Sequence, residues 1–103
     1  MEETIKIGKW NVPKKLYDEY IKWRMYADGY LNKTIKTPAE EMGIDSPAID
    51  MERNQRWLIC AGKVIETHKK ICEVIGIEYT ESENNEFYMA FHKKVREDTK
   101  LKG

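Results

Sequence analysis

The sequence predicts an all-α fold: a small bundle of three to four helices with a short extended N-terminal arm. Three observations carry that expectation. Apolar residues recur at helical spacing in several separate segments, proline or glycine marks most segment boundaries, and only one short stretch alternates as a strand would. The 103 residues have the length of one domain, spanning 1–103, with no linker long enough to divide it. A content of 41% hydrophobic and 35% charged residues places the chain among folded soluble proteins, since disordered chains lack this apolar fraction.

The elements follow in order. In "TIKIGKWNV", Ile5 and Ile7 fall on one side and Lys6 on the other, the pattern of a strand with no obvious partner. Residues 1–12 are therefore expected to form an extended arm that lies on the helices or pairs across a dimer. Pro13 suits the first position of a helix, where its missing N–H costs nothing. From there Leu16, Tyr20, Trp23, Ala27 and Tyr30 repeat as the seam of a bundle helix over about 13–35, with Gly29 weakening the interior so that the helix is expected to bend or end near there. Thr37 and Glu40 form a capping box with Pro38 at the first helical position, and Gly43 stops that short helix. Ser46 or Asp45 caps the next helix, with Pro47 at its start.

That third helix carries a broad apolar face: Trp57, Leu58, Cys60, Ala61, Val64, Ile65, His68, Ile71, Cys72 and Ile75. Ile59 and Val74 lie off it. The width implies two packing neighbours. Traced back before Trp57, the same arc meets Asn54, Arg53 and Asp50, so the first turns are expected to project beyond the core or face water. Gly76 ends the helix. Thr80 or Ser82 caps the last one, and Phe87, Ala90, Phe91 and Val95 form its narrow stripe. The tail, about 97–103, has little to bury and is expected to fray.

Composition narrows the function. Eighteen basic residues balance eighteen acidic ones, whereas nucleic-acid binders normally carry a positive excess. Cys60 and Cys72 are too few for a disulfide framework and sit among apolar residues, the mark of reduced buried thiols in a cytoplasmic protein. The N-terminus lacks a leader's apolar core, and no run reaches membrane-spanning length. His68 and Cys72 stand one turn apart, and Cys60 or His92 would have to complete a metal site. The spacing instead suits packing, and an active thiolate would need an exposed, electropositive setting. Phosphate-binding loops, dinucleotide fingerprints and hydrolase motifs are absent from the sequence. Neither a catalytic role nor a cofactor is indicated.

One stretch, "TPAEEMGIDSPAIDM", places Ala39, Gly43, Ile44 and Ile49 where a small residue, a turn glycine and two apolar wedges fix the angle between two helices. In these positions residues 37–52 resemble the helix-turn-helix motif. The resemblance implies a DNA-binding transcriptional regulator acting as a dimer, with Lys36, Ser46, Arg53 and Arg56 on the nucleic acid. The groove-facing side, however, holds Asp45 and Asp50, and Glu52 stands where the motif prefers an apolar residue. Over 37–56, five carboxylates face Arg53 and Arg56 alone, a net charge of minus three. A surface meant for phosphates carries the opposite sign.

The expectation is therefore a non-catalytic protein-interaction module: a small accessory regulator, adaptor or inhibitor whose partner is a protein, its own copy first among them. Its contact surface is placed at the start of the third helix, around Met51, Arg53 and Arg56. Nucleic acid is the disfavoured alternative, and no membrane is implied.

Overall fold

The computed structural model describes residues 3–44 and 47–100. Its first departure from the expected fold is at the N-terminus. The arm folds back on itself as a two-stranded antiparallel hairpin, β1 (Thr4–Ile7) and β2 (Trp10–Pro13), with Ile5 opposite Val12 and Ile7 opposite Trp10. Gly8 and Lys9 make the turn, and Gly8 adopts a φ of 59° at the position that glycine favours in such two-residue loops. A side chain there would also crowd the Trp10 ring and Ala90, each within about 3.4 Å of an added Cβ. The fold is thus mostly helical, close to the expected all-α bundle, with a small two-stranded sheet added.

Pro13 closes β2, and α1 begins one residue later as Lys14–Leu31. It is shorter than expected because the chain turns sharply after Gly29, whose carbonyl accepts from the N–H groups of both Thr34 and Ile35. The turn folds the Ile35 side chain back onto Gly29. An added Cβ there would meet Ile35 Cδ1 at 2.3 Å. The helix thus ends near Gly29, one of the two expected outcomes, and glycine at this site permits the close approach of Ile35.

The short α2 (Pro38–Glu41) has the expected capping box, Thr37 and Glu40 each holding the other's backbone N–H. Gly43 is left-handed at φ 76°. The proposed caps Asp45 and Ser46 lie outside the described residues. Next comes α3 (Ala48–Ile75), 28 residues and about 42 Å long, ended by left-handed Gly76 as the sequence indicates. The last helix, α4 (Glu86–Lys100), starts later than Thr80 or Ser82 would set it: Asn85 Oδ1 accepts from Tyr88 N at 2.9 Å and caps it instead. The helix extends through Lys100. Asp98 accepts from the Tyr17 hydroxyl and lies 3.5 Å from Lys94, tying the last turns to α1.

The core forms where α1, the hairpin and α4 meet the C-terminal half of α3. Ile7, Val12, Tyr17, Tyr20, Ile71, Cys72, Phe87, Phe91 and Val95 are buried in one cluster. Burying a side chain of this size contributes about 1.5–3 kcal/mol, so these residues hold the fold. His68 sits among their rings, 4.5 Å from Phe91 and 4.9 Å from Tyr79 between centroids. Among the described residues no helix is long and apolar enough to cross a membrane.

Candidate protein-interaction surface

The N-terminal half of α3 is held differently. Arg53 lies seven residues before Cys60 and fourteen before Thr67, on the same buried line of the helix. It is 6% exposed. Its guanidinium donates to the carbonyl oxygens of Tyr30 at 3.1 Å and Ile35 at 3.0 Å, and pairs with Glu40 of the capping box. Glu40 is held below the ordinary carboxylate range, first by the backbone N–H of Thr37 and then by the Arg53 charge. Thr37 itself is fully buried. One side chain thus fastens the end of α1, the following turn and α2 to α3.

This corrects the placement of Arg53. Expected on a wet, projecting contact surface, it faces inward because three acceptors from the preceding loop converge on it. Arg56 is half-buried beside Tyr30 and lies 3.4 Å from Glu52. Met51 is open, 66% exposed. Of the residues tied to a nucleic-acid role, Lys36 is exposed in the loop before α2, and Ser46 lies outside the described residues. The turn residue Ile44 is 47% exposed.

The exposed part of α3 divides into two strips. One is mostly charged, with exposed Ile59 set among ion pairs: Glu52 pairs with Arg56, and Glu66 lies 3.7 Å from both Lys63 and Lys70. The other is formed, at 100° per residue, by Met51, Asn54, Gln55, Leu58, Ala61, Gly62 and Ile65, all within one arc of about 120°. None of these seven is charged, in a chain where charged residues make up 35%. All are exposed except half-buried Ala61, and Leu58 reaches 61%. Leu58 and Ile65 were expected in the core. The aromatic cluster closes over His68, Ile71 and Cys72 and leaves the earlier turns uncovered on this side.

The other candidates resolve into packing. Cys60 and Cys72 are buried free thiols, each pushed up in pKa by burial. His68 is pushed down to about 4 by burial and then by His92, 5.7 Å away between ring centroids. Among the described residues no three His, Cys, Asp or Glu side chains come together as metal ligands would. Among the remaining aromatics, Trp10 packs edge-on against Phe87 and Tyr88 against His92, whereas Tyr26 stays 45% exposed.

Sequence reasoning missed the buried arginine and the uncharged strip. The signals were present: a polar residue exactly in line with Cys60, and seven successive outer positions free of charge. No known protein family matches the chain, and neither a curated protein nor a solved structure shows a significant likeness to it.

Proposed function

We propose that the protein is a non-catalytic interaction module, a small adaptor or regulator, and that it binds protein through the uncharged strip of α3. The strip itself carries the reading. Solvated helix faces are charged, as the neighbouring strip is, and an exposed row of Met, Leu and Ile between amides and small residues has the composition of a contact surface. Scattered exposed apolar residues are normal, but a continuous row on one rigid helix is more specific. The contact site thus keeps Met51 from the sequence expectation, moves outward from Arg53 to Leu58 and Ile65, and has Arg56 at the margin of the opposite strip.

The test is capture from nuclease-treated native lysate by the wild-type chain and by Leu58→Lys, with folding checked by circular dichroism. A protein retained by the wild type and lost by the variant supports the reading. Identical captured sets would overturn it, as would wild-type retention of duplex DNA in a gel shift that weakens steeply with salt.

A further inference from the structure

We infer that the first occupant of this strip is a second copy of the chain, docked antiparallel along α3 about a two-fold axis at Leu58. The inference rests on the interaction reading above and names its partner. Reversing one helix against its copy about Leu58 sets Met51 opposite Ile65, Asn54 opposite Gly62, and Gln55 opposite Ala61. Each longer amide then meets a small residue, and apolar meets apolar. The match is between the strip and itself, as an isologous interface requires. Met51, Leu58 and Ile65 also recur every seven residues, the spacing that keeps one seam facing a partner helix.

Charge selects the direction. The next residue on the arc beyond Ile65 is Lys69, which is exposed, while the first turn of α3, beside the strip's other end, carries exposed Asp50. A parallel pair would stack Lys69 on its own copy and acid on acid. The antiparallel pair brings Lys69 to the acidic start of the partner's α3 and opposes the two helix dipoles. Between these ends the strip has no charge to desolvate. The chain's net charge of zero removes the long-range repulsion that keeps strongly charged proteins apart.

Gly62 fits the same arrangement. It is exposed within a 28-residue helix, and an added Cβ would touch nothing within 4 Å in its own chain. Glycine is a poor helix former, and nothing in the protomer needs one here. A neighbouring helix passing close over it does. From Met51 to Ile65 the strip is about 21 Å long, so the contact is small and the dimer weak.

Sedimentation velocity over a concentration series tests this on the full chain. Concentration-dependent dimers are expected, weakened at least about tenfold by Leu58→Lys and weakened also by Gly62→Ala, although that change favours the helix. Mild oxidation tests the direction, with the wild-type chain and its two buried cysteines as the blank. Leu58→Cys should form a symmetric disulfide, and Met51→Cys should cross-link with Ile65→Cys in a mixture but not with itself. A monomer at every concentration overturns the self-pairing, as does a dimer indifferent to Leu58→Lys or a Met51→Cys chain that cross-links to itself. If the monomer still captures a protein through Leu58, self-pairing fails and the interaction reading stands. If capture also survives Leu58→Lys, both fail.

Discussion

The two halves of α3 differ in what fastens them. Its C-terminal half is enclosed by α1, the hairpin and α4, and its anchors are rings and branched aliphatics around His68 and Ile71. The N-terminal half is fastened on one side only, by a buried arginine that reaches two backbone carbonyls and a carboxylate. Apolar burial works where several elements close around a helix. Where only a loop and one helix lie alongside, directed hydrogen bonds to a single guanidinium do the fastening, and the far side of the helix remains open. In this chain that open side is the uncharged strip.

The largest effect should come from the enclosed half. Phe91→Ala removes a fully buried ring and should lower unfolding free energy by about 3–5 kcal/mol in urea titration. Acid acts on the same region. His68 is held near 4, against an ordinary 6.5, so the unfolded chain takes up that proton more readily. Its contribution to stability is full above pH 6.5 and is lost as pH falls from 6.5 toward 4. His92, lowered by burial and by Arg24 and Arg96, adds to the same trend, and Glu81 opposes it for both. A melting-temperature series should show this acid loss, and His68→Phe should flatten it.

At the other end, Arg53→Ala leaves the Tyr30 and Ile35 carbonyls without their charged donor and should cost about 2–3 kcal/mol. Loss of stability below about 0.5 kcal/mol would show that the guanidinium does not fasten this half. Two helical glycines, Gly29 in the last turn of α1 and Gly62 within α3, sharpen the contrast further. Gly29→Ala drives a methyl into Ile35 and should destabilise by about 1–2 kcal/mol. Gly62→Ala, open to solvent in the protomer, should stabilise dilute protein by about 0.5–1 kcal/mol.

What the sequence made legible was local. The Thr37–Glu40 capping box, the Gly43 turn and the Gly76 stop are each decided within a few residues, and the structure has all three. The hairpin was harder to read because its strands are four residues each, too short for alternation to stand out, and its partner strand begins only two residues on. The later start of α4 turned on which of several polar residues caps it, a choice among near-equal local signals that fell to Asn85. Asp98, Arg53 and Leu58 were misplaced for one shared reason. Periodicity shows which face of a helix is apolar, but not how far a neighbouring helix extends along it. Tyr17 reaches the supposed tail, Glu40 reaches back to a supposed surface arginine, and the enclosing elements stop short of a supposed core leucine.

The division of labour along α3 is tested most directly by Leu58→Lys, with urea unfolding of dilute protein and partner capture measured on the same preparation. The expected result is a change in stability within about 0.5 kcal/mol, as at an ordinary surface site, together with loss of the captured partner. A loss of 2 kcal/mol or more, on the scale of a core truncation, would place Leu58 in the fold rather than on a contact surface and contradict the account.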